Sequence, residues 1–262
     1  MKLNLPRELQ EARGVIGRAV RAGEELNPSL FLNKYVVWSG GRGEEKAELR
    51  RQISLLSKDR LALPCRLMPL RLYKGYKRRF QEMLSVLEGQ GWSVRQADLK
   101  LSWRLSVDLG AASVYETSIN LHRNYGVPVV PGSAVKGVTR HYASTIKIAK
   151  PLFEQIFGDI GRKGEVLFFD ALPLPEGKDF VVLDVMNVHY KKYYETQTEP
   201  PGDWMSPVPV FFLAVEGICY RFSVAARDEK LADEALRLVK GAVRELGVGA
   251  KTSAGYGFFE EG

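Results

Sequence analysis

Cysteine and histidine are scarce in this sequence. Its 262 residues include two cysteines, Cys65 and Cys219, which lie far apart in separate segments. Neither a disulfide framework nor the ligand spacing of a metal site can be built from them, so this usage predicts a protein of the reducing cytoplasm. The histidines are His122, His141 and His189. We therefore expect no metal and no cofactor, and few candidates for acid–base chemistry.

Long hydrophobic runs are also lacking. No apolar stretch approaches the about 20 residues that cross a bilayer. The N-terminal residues MKLNLPRELQEAR do not contain the apolar region of a signal peptide. The sequence therefore predicts a cytoplasmic protein with no membrane partner.

Acidic residues are fewer than basic residues, and the imbalance is not spread evenly along the chain. The formal net charge is +7 at pH 7. Residues 1–104 contain 21 Lys and Arg against 11 Asp and Glu, a net charge of +10, whereas the rest of the chain carries −3. A basic segment of this kind indicates a polyanionic partner, usually nucleic acid. A solvated surface rich in both charge signs is the alternative.

The segment from Arg66 to Glu88 combines aromatic and basic residues. Tyr73, Tyr76 and Phe80 recur at helical spacing, which favours packing into a core over a base-stacking surface. Like charges four residues apart repel each other on a helix, so both a bound anion and a solvated face are open interpretations of the basic residues. The candidate RNA-binding cations of this segment are Lys74, Lys77 and Arg78.

A regular alternation of apolar and polar residues begins near Lys100. In LSWRLSVDL, the apolar positions run from Leu101 through Trp103 to Leu109. This period of two predicts a strand with one buried face, and we expect it to be the first strand of the main domain.

A polar loop, Ser113 to Pro131, follows this strand and leads into a helix. The loop carries His122, Arg123 and Tyr125, which could stack on bases or touch sugars. A local hydrogen bond is the alternative for His122.

The helix is predicted to start at Pro131-Gly132-Ser133, with Ser133 as the N-cap. Lys136 and Arg140 share one helix face. A helix N-terminus flanked by cations is suited to bind an anion, although a surface helix with ordinary cations fits the pattern equally well.

The C-terminal part predicts two strands and a helix. Val210–Val215 and Ile218–Val224 flank Glu216-Gly217, which predicts a hairpin. A helix follows from about Glu229 to Leu246, and Gly247 suits the position just after its end.

A glycine-rich stretch, GVGAKTSAGYGFF, follows this helix. Its glycines are Gly247, Gly249, Gly255 and Gly257, and Lys251 lies between the two pairs. Glycines at this density allow positive φ and close approach to a partner. The spacing matches neither a Walker loop nor the dinucleotide fingerprint, so a connection that only turns the chain is the remaining alternative. We expect Lys251 to be free of apolar neighbours, and Gly255 to need positive φ or close packing against the first helix.

The order of these elements predicts a fold class. From Lys100 onward the order is strand, helix, strand, insertion, hairpin, helix, glycine-rich loop and strand. This is an α+β, ferredoxin-like (RRM-like) βαββαβ arrangement with insertions. Residues 1–99 are then predicted to be a helical, basic N-terminal extension packed on a main domain of residues 100–262.

Four motifs together resemble a known family. They are LHRNYGVPVVPGSAVKGVTRHYA (Leu121–Ala143), FGD (Phe157–Asp159), VLFFDALP (Val166–Pro173) and the terminal GVGAKTSAGYGFF. In combination they are similar to the RAMP superfamily of CRISPR-associated proteins, and most similar to the family of the sixth subunit of the Cmr (type III-B) effector complex. Gly132, Ser133, Lys136 and Gly137 match the family's first-helix signature, and Gly247–Gly257 match its glycine-rich loop.

The resemblance implies an RNA-binding subunit rather than an enzyme. Its partners would be CRISPR RNA, target RNA and other Cmr or RAMP subunits, and it would lie towards the 3′ end of the guide. Pro173–Pro209 would correspond to a thumb-like insertion. Lys136, Arg140, Lys251 and the loop amides would contact the RNA backbone.

A metal-independent RAMP endoribonuclease that processes CRISPR transcripts is the alternative function. Such an enzyme needs a histidine as general acid or base, and His122 and His189 lie in segments that could meet. A purely protein-binding scaffold would leave the basic excess of residues 1–104 without a role.

Overall fold

The computed structural model describes residues 22, 25–34, 38–39, 46–47, 50, 53, 62–65, 68–190, 193, 200, 202 and 206–261. The helices are α1 (Pro28–Lys34), α2 (Leu70–Gly89), α3 (Gly132–Thr145), α4 (Lys150–Phe157) and α5 (Glu229–Glu245). The strands are β1 (Trp38–Ser39), β2 (Lys46–Ala47), β3 (Ala62–Leu63), β4 (Ser93–Leu101), β5 (Arg104–Leu105), β6 (Gly158–Asp159), β7 (Arg162–Lys163), β8 (Leu167–Phe168), β9 (Leu172–Leu174), β10 (Val181–Val188), β11 (Val208–Glu216), β12 (Cys219–Ala226) and β13 (Phe259–Glu261).

Antiparallel pairing assembles most of these strands into two sheets. The first has the order β13-β4-β12-β8, with β9 also paired to β12. The second has the order β3-β10-β11-β5. Helices and strands both contribute substantially, so the mixed α and β class predicted from the sequence is confirmed. Among the described residues, no helix combines the length and the apolar composition needed to cross a bilayer.

The main core lies between the first sheet and two helices. Tyr220, Phe222 and Val224 alternate along β12 and are buried against the inner face of α5. Helix α5 confirms the predicted C-terminal helix, and the Asp228 carboxylate caps it by accepting a hydrogen bond from the Leu231 amide at 2.8 Å. Helix α3 packs against α5 at Gly241, where a Cβ atom would lie 2.5 Å from the Tyr142 ring.

Several N-terminal segments belong to the same core. Phe31, Ile53 and Leu63 are buried in the cluster that contains the α5 face. In helix α2, the fully buried Tyr73 donates a hydrogen bond to the Pro173 carbonyl at 2.7 Å. The described residues before the first sheet thus contribute to two buried clusters, Phe31, Ile53 and Leu63 to the main one and Tyr73 to a second one with Val127, Val129 and Leu172.

The predicted position of the first strand is wrong. Strand β4 ends at Leu101, and the chain bends at Ser102-Trp103 before it enters β5 in the second sheet. Beyond the bend Leu105 and Val107 are buried, because residues of both sheets belong to the same core cluster, whereas Trp103 in the bend is 50% exposed. Strand β4 was missed because it is mostly polar, and it crosses the domain boundary predicted after residue 99.

The predicted hairpin around Glu216-Gly217 is also wrong, although both of its strands exist. Strand β11 pairs with β10 and β5, whereas β12 pairs with β4, β8 and β9. Gly217, at φ +64°, turns the chain from one sheet into the other. Each strand is apolar and buried over several consecutive residues, which shows that both faces of its sheet are covered there.

Helix α3 begins without the predicted Ser133 cap. Ser133 is exposed, and Gly132 is the first helical residue. The Gly132 amide donates to the Asp170 carboxylate at 2.7 Å. The Asp170 carboxylate, which lies between β8 and β9, therefore accepts a hydrogen bond from a backbone amide at the start of α3. The sequence had predicted a local cap by the Ser133 side chain instead.

The glycine-rich loop is tied by its backbone to the segment around β5. The Ala250 amide donates to the Ser106 carbonyl at 2.7 Å, and the Gly257 amide donates to the Arg104 carbonyl at 2.6 Å. Gly247, just past α5, has φ +72° as predicted. Gly257 has φ +79°, and a Cβ atom there would overlap the Val248 carbonyl.

We expect Gly257→Ala to destabilise the protein much more than Gly255→Ala. Both residues have positive φ, +79° and +89°, which costs a non-glycine residue about 1–3 kcal/mol. A Cβ atom on Gly255 would make only an ordinary contact with the Trp103 ring at 3.8 Å. The overlap at Gly257 should add about 1–3 kcal/mol of overpacking.

Urea denaturation of the two variants and the wild type measures this difference in the free energy of unfolding. Equal losses for the two alanine variants would contradict the close approach of Gly257 to Val248.

Candidate nucleic-acid interface

An open groove lies between α3, the glycine-rich loop and the segment that follows β5. Helix α3 contributes Ser133 and His141, and the loop contributes Gly247–Ala250 and Thr252. The third wall is the segment 107–111, which includes Asp108 at φ +58°. The structure therefore brings three of the predicted residues, Ser133, Gly247 and Gly249, to one concave surface.

Only part of the loop backbone is available for a ligand. Many of its amides donate to carbonyls of the protein, at Gly247, Val248, Ala250, Ala254, Gly255, Tyr256 and Gly257. In the described part of the chain, no backbone carbonyl accepts a hydrogen bond from the amides of Gly249, Thr252 or Ser253. Gly249 and Thr252 line the groove. Backbone amides without internal partners are suited to bind anionic oxygens such as those of a phosphate.

The predicted cations of α3 do not line the groove. Its described lining contains neither Lys136 nor Arg140. The Arg140 guanidinium lies 5.5 Å from the centre of the Phe153 ring on α4. The groove thus offers hydrogen-bond donors without a lysine or arginine among its described walls, and Asp108 adds a negative charge to it.

Lys251 is also oriented differently from the prediction. Its ammonium lies 5.5 Å from the centre of the Phe212 ring, 5.9 Å from that of Tyr256 and 3.7 Å from the Met186 sulfur. The expectation that it has no apolar neighbour is wrong. Lys251 takes φ +62°, and this left-handed backbone turns its side chain over the second sheet.

A partly buried ionic network fixes the far side of the same loop. The Tyr256 hydroxyl donates to the Asp184 carboxylate at 2.6 Å. Arg104 bridges Asp184 at 2.6 Å and Glu216 at 2.8 Å. Burial raises the pKa of Asp184, but hydrogen bonds from Tyr256, the Val185 amide and Arg104 outweigh it and hold that pKa below its ordinary value. Burial and the Asp184 hydrogen bond raise the pKa of Tyr256 to about 12.

The predicted loop residues His122 and Tyr125 lie against helix α2 rather than beside the groove. Tyr76 of α2 lies 5.1 Å from His122 and 4.9 Å from Tyr125, measured between ring centres. The Tyr125 hydroxyl accepts a hydrogen bond from Arg79 at 2.7 Å. Burial lowers the pKa of His122 despite the attraction of Asp170. Its Nδ1 accepts a hydrogen bond from the Asn124 amide at 3.2 Å, which is the local hydrogen bond given above as the alternative for His122.

The neighbouring Arg123 is exposed, and its carbonyl accepts a hydrogen bond from the Asn27 side chain at 2.9 Å. This contact joins the loop to the start of α1.

The cations of α2 form a separate basic surface. Lys74 and Arg78 are exposed, and Arg78 pairs with Glu82 at 3.3 Å across one helical turn. Lys77 lies 5.5 Å from the centre of the Tyr73 ring. Burial lowers the pKa of Lys77, and the positive charges of Arg221 and Lys74 lower it further.

The three histidines have different surroundings. His141 is exposed on α3 and lines the groove. His189 is exposed after β10 and lies 6.3 Å from the Tyr190 ring, whereas His122 contacts α2. Within the described ranges, no group of three or more His, Cys, Asp or Glu side chains could hold a metal ion.

Sequence reasoning missed the two carboxylates that organise this region. Asp170 holds the start of α3, and Asp184 holds the Tyr256 end of the loop. The signal for Asp184 was a single acidic residue in the apolar strand VVLDVMNV, because a charge at such a position is normally paired.

Comparison with known proteins matches this chain to one family. A model of the RAMP superfamily matches residues 39–260. The chain is 37% identical to the CRISPR system Cmr subunit Cmr6 of Pyrococcus furiosus, over 72% of this chain and 74% of that protein. It is 25% identical to the CMR subunit Cmr6 of Saccharolobus solfataricus, over 70% of this chain and 63% of that relative.

A solved structure supports the same fold. A chain of the type III-B Cmr-beta complex bound to cognate target RNA superposes with a TM-score of 0.65 at 22% identity, covering 81% of this chain and 70% of that one. The superfamily match spans most of the sequence, including α2, α3, both sheets and the glycine-rich loop. Together with the identity to Cmr6, it establishes that this chain belongs to the RAMP superfamily and is a homologue of the Cmr6 subunits.

Proposed function

We propose that this protein is a non-catalytic RNA-binding subunit of a cytoplasmic type III-B Cmr effector complex. In that complex it contacts CRISPR RNA towards its 3′ end and contributes to recognition of target RNA. Its other partners are further Cmr and RAMP subunits. The observation that carries the proposal is the 37% identity to the Cmr6 subunit over 72% of this chain.

The proposed fold type is the ferredoxin-like arrangement of the sequence prediction. Numbered along the chain, β4, β8, β12 and β13 are the first to fourth strands, with α3 after the first and α5 after the third. The sheet order β13-β4-β12-β8 is then fourth, first, third, second. This order, with the alternation of strands and helices, supports a split βαβ plan.

We also propose the division into an N-terminal extension and a main domain, with the junction moved before Ser93. The segment Pro173–Pro209 would be the thumb-like insertion, and its described part includes the end of β9, all of β10 and the first residues of β11. Residues 191–192, 194–199, 201 and 203–205 of that segment lie outside the described residues.

Two surfaces would share the binding of RNA. The groove would receive the sugar–phosphate backbone on the amides of Gly249 and Thr252 and on the Ser133 hydroxyl. The exposed cations of α2 would supply the salt-sensitive attraction, because phosphate neutralisation releases counterions. The separation of donors from cations supports distinct contributions from the two surfaces.

The salt dependence of binding tests the role of α2. We expect the full-length protein to bind single-stranded RNA weakly and with little sequence preference. In the Lys74→Gln/Arg78→Gln variant, the slope of log K against log salt should become shallower by about 0.7 for each phosphate that the variant no longer neutralises. Lys230→Gln, an exposed lysine on α5, is the control and should leave the slope unchanged. Binding that does not respond to salt in any of these proteins would reject the electrostatic role of α2.

A substitution that fills part of the groove tests its role in RNA binding. Ser133→Leu places an apolar side chain at its edge from an exposed helix position, so the protein should fold normally. We expect weaker RNA binding with an unchanged salt slope, because no cation is removed. Ser144→Leu, an exposed serine near the end of the same helix, is the matched control. Equal affinities for the two leucine variants would remove the groove from the interface.

The endoribonuclease alternative is tested by incubating the protein with repeat-containing RNA, with and without divalent metal. We expect no specific cleavage, because His122 is held against α2 by Tyr76 and Tyr125 while His189 lies beside Tyr190. Specific cleavage that disappears in His122→Ala or His189→Ala would favour the nuclease instead.

A further inference from the structure

Trp103 is a large aromatic residue with half of its surface exposed. It lies in the bend between β4 and β5, and 50% of its surface remains accessible. A single exposed apolar residue is common on protein surfaces, so the surroundings of Trp103 decide whether it marks a binding site. Neither the predicted RNA contacts nor the groove lining includes this residue.

The indole ring is held in place by fixed neighbours. Its centre lies 4.8 Å from the centre of the Tyr256 ring, and the Arg104 guanidinium lies 5.5 Å from it. Both neighbours are tethered to Asp184, at 2.6 Å each. A binding surface held in this way loses little conformational entropy when a ligand arrives.

Trp103 also continues the surface of the glycine-rich loop. Gly255 is exposed beside it, and a Cβ atom on Gly255 would lie 3.8 Å from the ring. Thr252, which lines the groove, begins the short 3₁₀ turn that ends before Gly255. The same turn therefore has backbone donors at one end and an aromatic ring at the other.

We infer that Trp103 stacks against an unpaired base of RNA bound along the glycine-rich loop. This inference rests on the proposed function. Stacking suits a subunit that holds RNA without regard to sequence, because every base has a π-face. The adjacent amides would hold the phosphates of the same strand, and the tethered Arg104 and Tyr256 would keep the indole oriented towards its base.

The test compares two single-stranded RNA probes of equal length, one with normal bases and one with abasic positions, on the full-length protein. The probes have the same phosphates, so a difference in affinity reports contacts to bases. We expect the wild type to prefer the base-containing probe by about 5- to 150-fold for one stacked base. Trp103→Leu should lose most of this preference while its affinity for the abasic probe and its melting temperature stay close to wild type.

Trp92→Leu is the matched control. Trp92 is also partly exposed, and the Arg227 guanidinium lies 4.8 Å from the centre of its ring. Unlike Trp103, it lies just after α2. The Trp92 variant should keep the preference for bases.

The results that would contradict the stacking of Trp103 can be told apart from those that would contradict RNA binding itself. If Trp103→Leu keeps the preference for bases, the stacking role is overturned while the proposed RNA binding stands. If Trp103→Leu binds both probes like wild type but fails to join a reconstituted Cmr complex, Trp103 contacts a protein subunit instead. If the wild type binds neither probe, both the proposed function and this inference fail.

Discussion

The backbone bonds between the glycine-rich loop and the β5 segment are the constraint on which the rest of the molecule depends. The chain passes from the first sheet to the second at Ser102-Trp103, and the amides of Ala250 and Gly257 hold the far side of that bend through Ser106 and Arg104. These two hydrogen bonds form a clamp that attaches the glycine-rich loop to the junction of the two sheets. It requires glycine at 257, because the Val248 carbonyl occupies the space of a side chain.

The clamp explains why the loop is both a structural element and a candidate binding site. Most of its amides donate within the protein, and of those without a backbone acceptor among the described residues, Gly249 and Thr252 line the α3 groove. The ionic network of Asp184, Arg104 and Glu216 fixes the opposite side and carries Tyr256 with it. The backbone donors of the loop and its aromatic side chains therefore have a fixed geometry, whereas the exposed cations of α2 form a separate surface.

The sequence predicted elements better than it predicted their partners. Helix α5 and the glycine after it followed from apolar periodicity and the C-terminal preference for glycine, both of which are local. The pairing of β11 and β12 could not be read in this way, because a two-residue turn signal does not reveal that the strands enter different sheets. Strand β4 was missed since polar residues occupy both of its faces: Asp98 and Lys100 lie on the exposed face, and Arg95 lies on the face of the buried Leu99 and Leu101.

The residues of the candidate site show the same difference between local sequence signals and tertiary contacts. Gly247, Gly249 and Ser133 were proposed because their residue types carry a local signal, and all three line the groove, although Ser133 does not cap α3. Asp170 and Asp184 act across the fold, and only the tertiary structure brings them to α3 and Tyr256. Lys251 was misread because a cation at a loop tip is normally solvated, whereas a left-handed backbone turns this one over two aromatic rings.

Photo-crosslinking within a reconstituted Cmr complex tests the central claim most directly. A guide RNA that carries a photoreactive base at successive positions near its 3′ end would be irradiated, and the crosslinked peptides of this subunit would be identified by mass spectrometry. The account predicts crosslinks in the peptides that contain Trp103 and the glycine-rich loop. Crosslinks confined to other subunits, or absent from this one at every position, would contradict it.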